Sequence, residues 1–302
     1  MTGNARPLQG GFPAHLDVPA WFHARVREVV APYADDVAGG RWTTVEGAVR
    51  PDVMAEIEHV QLRQSGAPPR VPAMLTAGWA VGIMAAAIAV GVVRDGVLVH
   101  PGDEELELLQ IGGGYCGDIR IADVPVSVAA GHPWAGRDGV RAVGGHDRLE
   151  TAAIATIVGL GAGAVAQLGE RAKLGHPGLW AQAAETVAAA LLRLAGSEPV
   201  APVQLQEATR RFLTRPGRPW KRTPEVWVAE DGDAAVLIQH RGSCCLFYQC
   251  DPDLADAPPV RPDAGYVARF GDDAPRYCGN CLFREREDVE ARTVFEATRR
   301  TG

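Results

Sequence analysis

Between Arg70 and Arg94 the chain runs from Val71 to Val93 without a charged side chain, with Gly78 and Gly82 inside the run at GxxxG spacing. A charge-free helix of this length either crosses a bilayer, which takes about 20 apolar residues, or threads the centre of a globular core. Ala and Gly dominate the run, which makes it weakly apolar, and the pattern predicts a fully buried core helix. No other segment reads as a second span. Peripheral membrane association is the membrane role left open.

Around that helix, periodicity predicts further elements. Asp17 is an N-cap candidate for a first helix carrying Trp21, Phe22, Val26, Val29, Val30 and Tyr33. Pro51 starts a second, with Val53, Met54, Ile57 and Val60 on one side. Short strands are expected at Val97–Val99, Glu105–Ile111 and Ile119–Ile121, with Gly112, Gly113 and Gly114 as a break. Cys116, alone after that break, reads as a small buried hydrophobe.

Gly159, Gly161, Gly163 and Ala166 match a dinucleotide-binding GxGxxA pattern, but that fingerprint needs a strand directly before it. Asp147 and Glu150 have capping-box spacing instead. Leu149, Ala153, Ile157, Leu160, Ala164 and Leu168 carry one helical stripe through the glycines, which predicts close helix packing. Pro177 opens another helix that Gly196 closes, and a Pro- and Arg-rich connection follows. Val226–Ala229, Asp231-Gly232 and Ala235–Gln239 read as a β-hairpin. Asp251 to Pro275 is expected to be an exposed loop, and Arg284 to Arg300 a solvated terminal helix.

The formal charge of −7 lacks the basic footprint of a protein that lives on phosphate backbones, so no nucleic-acid partner is expected. The N-terminal MTGNARPLQGGFPAH lacks the apolar stretch of a signal peptide, which predicts a cytoplasmic protein. In a reducing compartment a cysteine cluster holds metal or does redox work more readily than it forms disulfides.

Of six cysteines, all but Cys116 fall after Ser243: Cys244, Cys245 and Cys250 in RGSCCLFYQC, then Cys278 and Cys281 in YCGNC. Four thiolates satisfy either one tetrahedral zinc or the two irons of a 2Fe–2S cluster. A structural zinc site commonly uses two CxxC knuckles, and only Cys278 and Cys281 have that gap. Adjacent Cys244 and Cys245 tend to point apart, which suits a site with two metal atoms. His240 lacks the paired arrangement of a Rieske site and reads as a strand-end residue.

RGSCCLFY followed by YCGNCLF resembles the C-terminal signature of FhuF-type ferric siderophore reductases, in which a Cys-Cys pair and a later CxxC bind a 2Fe–2S cluster. RVPAMLTAGWAVGIMAAAIAVGVV and LGHPGLWAQAAETVAAALLRL sit where that family has its helical siderophore-binding part. The interval between Cys245 and Cys278 is longer than is usual there. A Pro-rich loop absorbs such an insertion, because closure entropy grows slowly with length.

The resemblance implies Cys244, Cys245, Cys278 and Cys281 as cluster ligands and as the redox centre, Cys250 as a nearby thiol, and Arg241 as a substrate-binding residue. It implies an α+β fold, with a helix-rich ferric siderophore domain over 1–224 and a hairpin plus iron–sulfur region over 225–302. The expected activity is one-electron reduction of chelated Fe(III) to Fe(II). The absence of nicotinamide or flavin fingerprints predicts an electron donor protein such as a ferredoxin or a flavin reductase. Arg215, Arg218, Lys221 and Arg222 are candidates to guide an acidic donor or anionic chelate. Two other readings stand beside this one: a zinc-stabilised binding module, and an iron–sulfur accessory protein that does not reduce siderophores.

Overall fold

The computed structural model describes residues 17–30, 40–194, 201–231, 234–250, 268–270 and 278–301. It is an α+β fold. At its centre is α3, Arg70–Asp95, one continuous helix that widens into π-helical turns at Ala77–Gly82 and Gly91–Asp95. Its most apolar 18-residue window is 94% buried inside the protein, as expected of a core helix.

Helices α1 (Val18–Val30), α2 (Pro51–Ser65), α4 (His146–Ala172), α5 (His176–Arg193) and α6 (Pro202–Leu213) surround it. Asp17 caps α1 as expected, its Oδ1 accepting the Ala20 N–H at 2.9 Å. Tyr33, Gly196 and most of the 251–275 tract lie outside the described residues.

Glycine lets α3 and α5 meet closely. A Cβ added to Gly82 would stand 2.7 Å from Thr186 Oγ1 and 3.2 Å from the Ala183 Cα, too near for any side chain. Gly161 meets Trp180 and Val81 in the same way, whereas Gly159 faces open space. Gly82→Leu is therefore expected to lower stability by about 1–3 kcal/mol through overpacking. Gly159→Ala should raise it by roughly 0.5–1 kcal/mol through helix propensity. Urea unfolding midpoints of the two variants check both signs.

Six short strands form two three-stranded sheets. In the first, β3 (Leu106–Gln110) lies antiparallel between β1 (Arg41–Thr43) and β4 (Cys116–Ile121), with a bulge between Leu109 and Gln110. In the second, β5 (Val126–Ala129) pairs antiparallel with β2 (Val97–Val99) and parallel with β6 (Val140–Val143). β7 (Glu225–Asp231) and β8 (Ala234–His240) form the expected hairpin, and α7 spans Arg286–Thr301.

β7 divides its faces between two cores. Val226 joins the main one, while Trp227 and Ala229 join Ile238 and Val289 in a small second one. α7 is thus more than a solvated helix: Val289 is fully buried against the hairpin, and Arg292 is 4% exposed.

Three further expectations need correction. The connection after α5 contains a helix, α6, whose Leu205, Ala208, Phe212 and Leu213 are buried at helical spacing; Pro202 stands in its first turn, where its missing N–H costs nothing. The capping box is absent. α4 begins at His146 after Gly145, and the carboxylates of Asp147 and Glu150 turn instead to Arg215, with Glu150 Oε1 also accepting from Arg211 at 2.9 Å. α4 is also a second helix long and apolar enough to cross a membrane, its most apolar window half buried.

Candidate metal centre

β8 ends at His240, and from there the chain turns onto α5. Two polar side chains one turn apart on that apolar helix receive it. Glu185 Oε1 accepts the Gly242 N–H at 2.8 Å, the Ser243 N–H at 3.0 Å and the Ser243 hydroxyl at 3.1 Å. Its Oε2 accepts from Gln239 Nε2 at 2.9 Å. Gln182 Nε2 donates to Ser243 Oγ at 2.8 Å and to the Cys244 carbonyl at 3.1 Å, and its Oε1 accepts Arg241 Nη2 at 2.6 Å. Gly242 is required here, because a Cβ would collide with the Thr223 carbonyl.

The second cysteine loop is tied to the first. Arg241 N–H donates to the Asn280 carbonyl at 3.0 Å, and His240 Nε2 donates to the Cys281 carbonyl at 3.2 Å. From the foot of α7, Arg284 Nε donates to the Cys278 carbonyl at 3.0 Å while its Nη1 reaches Asp288 at 2.9 Å. A tight turn closes the CxxC, with the Cys281 N–H on the Cys278 carbonyl at 3.0 Å.

These constraints bring the sulfurs of two distant stretches together. The Cys278 thiol hydrogen-bonds to both Cys245 and Cys281, and Cys244 lies within electrostatic reach of Cys245 and Cys281. Three sulfurs each accept a backbone N–H from two residues onward: Cys244 from Leu246 at 3.3 Å, Cys245 from Phe247, and Cys281 from Phe283. Leu246 adopts φ 63°, a left-handed conformation unusual for a branched side chain, in making its bond.

The thiols differ sharply in acidity. Hydrogen bonding to Cys278 pulls Cys245 and Cys281 down to about 6, and the same bonds push Cys278 well up. Burial raises Cys244, partly offset by the Leu246 N–H. Burial works against the Arg241 charge, yet Glu185 and the sulfurs of Cys245, Cys278 and Cys281 outweigh it and hold the guanidinium charged.

Arg241 thus faces inward, toward the sulfurs and α5. Cys250 lies to one side, its thiol raised by burial and hydrogen-bonded to Ser65 at the end of α2. Cys116 is 4% exposed and pushed up to about 12 by burial, the state of an inert core thiol. Arg215 is taken up by Asp147 and Glu150, and Arg218 Nη1 by the Thr214 and Arg215 carbonyls, which leaves Lys221 and Arg222 as the exposed cations of that group.

Among the described residues no three or more Cys, His, Asp or Glu side chains are already gathered as a metal-holding group. The thiols form a string instead. Cys244, Cys245, Cys278 and Cys281 are the residues that could hold a thiolate-bound group, and the donor set fits one: soft sulfurs from two loops, backbone N–H groups aimed at three of them, and a neighbouring cation for their negative charge. Gln182, Glu185 and Arg284 escaped the sequence reading. Their signal was present for the first two, as polar residues at i and i+3 inside WAQAAETVAAALL. Compared with known proteins, the chain matches no family model and no curated protein. The likeness to the siderophore reductases therefore rests on the two cysteine motifs.

Proposed function

We propose that this protein is a ferric siderophore reductase of the FhuF type, delivering one electron to chelated Fe(III) from a 2Fe–2S centre held by Cys244, Cys245, Cys278 and Cys281. The observation that carries the reading is the hydrogen-bonded string Cys245–Cys278–Cys281 with Cys244 beside it, drawn from the two motifs that resemble that family. When bound, such a cluster supplies single electrons at a potential set by charge, exposure and hydrogen bonds to sulfur.

The chain's own residues supply the rest. The Arg241 charge favours the thiolate form of all four sulfurs, the form that a metal takes up. The N–H groups of Leu246, Phe247 and Phe283 disperse charge on sulfur, and Arg241 balances part of it. Tyr248 and Phe283 pack edge to face at 5.9 Å on the outer side of the two loops, 40% and 57% exposed, giving the centre an aromatic rim open to a partner.

The substrate on this reading is Fe(III) in a cage of hard oxygen donors. Those donors hold the ferrous ion far less well, so one added electron releases iron without breaking the chelator. A ferredoxin or flavin reductase is the proposed electron source, and the cytoplasm the proposed compartment.

Anaerobic purification with iron and sulfide analysis, followed by mixing the reduced protein with ferric hydroxamates and catecholates, tests the reading. Equal iron and sulfide, with Fe(II) released by at least one chelate, is the expected result. A colourless protein containing zinc would identify a binding module instead. A reducible cluster that reduces no chelate would identify an electron-transfer accessory protein.

A further inference from the structure

Glu185 lies outside the ligand set and is 4% exposed, yet it takes four donors, three of them from Gly242 and Ser243. A carboxylate buried in an apolar helix is costly unless its charge and lone pairs are answered. Among the described residues the answering donors come from the segment that carries Cys244 and Cys245 and from Gln239 at the end of the same hairpin, and they offset part of the burial that still pushes the carboxyl up. Through Gln182, which binds both Arg241 and the Cys244 carbonyl, the arrangement fixes that segment at each residue from Arg241 to Cys244.

We propose that Glu185 is the positioning residue of the metal centre: it holds the Arg241–Cys245 loop in ligating shape before any metal arrives and, paired with Arg241, sets the charge that the sulfurs meet. The second half of this proposal rests on the iron–sulfur reading; the first does not. Arg241 acts on the sulfurs directly and Glu185 acts on Arg241, so the two side chains bring opposite charges to the centre. Removing them therefore has opposite electrostatic consequences, which a residue that merely glues α5 to the loop would not produce.

The test uses the full-length chain as wild type, Glu185→Ala, Glu185→Gln, Arg241→Gln and Arg241→Lys. In chelator-treated protein, amide hydrogen exchange at Gly242 and Ser243 is expected to speed up about ten-fold or more in Glu185→Ala, and less in Glu185→Gln, whose amide oxygen still accepts. Exchange in α3 and β7 should stay unchanged. In iron-loaded protein, the midpoint potential should rise in Glu185→Gln and fall in Arg241→Gln, with Arg241→Lys returning toward wild type.

Unchanged exchange at Gly242 and Ser243, or a shift of both charge variants in the same direction, overturns the proposal. If Glu185→Ala does not fold, Glu185→Gln carries both readouts. Zinc or no metal in the wild type sinks the reductase reading, while the exchange measurement still decides the anchor. Intact iron loading with unaffected exchange sinks the anchor and leaves the reductase reading standing.

Discussion

Cys278→Ser is expected to purify without the visible absorption of an iron–sulfur protein, with iron and acid-labile sulfide near zero and no release of Fe(II) from any chelate. Cys278 is the sulfur that joins the two stretches, since its thiol contacts both Cys245 from the first loop and Cys281 from its own. A serine hydroxyl is a harder, shorter and far less acidic donor, poorly matched to iron that prefers thiolate. The loss should be local. The main core, from Val18 through Trp220 to Val226, contains none of the four cysteines, so far-UV circular dichroism should match the wild type. Cys250→Ser and Cys116→Ser serve as controls that keep the absorption, because one thiol is turned to Ser65 and the other is sealed in β4. A normal cluster in Cys278→Ser would show that the ligands are misassigned.

Asp95→Ala should be the most damaging single change in the helical body, lowering stability by about 3–5 kcal/mol in urea unfolding. The Asp95 side chain has no exposure, and its Oδ2 accepts Arg25 Nε at 2.5 Å and Trp21 Nε1 at 3.1 Å; Arg94 Nε lies 3.8 Å from Oδ1. Its main-chain carbonyl accepts the His132 ring at 3.0 Å, so α1, the end of α3 and the loop after β5 meet at this residue. Burial pushes the Asp95 carboxyl up against the pull of Arg25, which marks a pair with a large desolvation cost. The expected loss therefore comes chiefly from stranding the cations. Arg25→Met added to Asp95→Ala should recover part of it, and a strictly additive pair of losses would refute that account.

The parts of the fold read most directly from sequence were those dictated by local rules. The uncharged run from Val71 to Val93 had to be buried or embedded, Asp17 and Pro51 opened their helices, and the apolar runs at Val226–Ala229 and Ala235–Gln239 lie in the two strands that pair as a hairpin. β1, β5 and β6 were missed because short strands declare themselves through partners: β5 is buried on both faces and shows no alternation, and β6 is recruited in parallel from across a loop. α6 was legible in the spacing of Leu205, Ala208 and Phe212, but its proline and arginines disguised it. The capping box at Asp147 and Glu150 failed because Arg215, just past the end of α6 and more than sixty positions away, offers a full positive charge where the helix end offers a partial one.

The cysteine spacing by itself determined that two soft-ligand motifs stand near the end of the chain, since thiol chemistry and a two-residue gap are local properties. Tertiary structure alone decided that the motifs meet, that Cys278 is the sulfur between Cys245 and Cys281, and that Arg241 turns inward to Gln182 rather than outward. Hydrogen bonds that Glu185 and the Asn280 carbonyl accept and that Arg284 donates make those choices, and their partners meet only after α5 and α7 have packed against the hairpin.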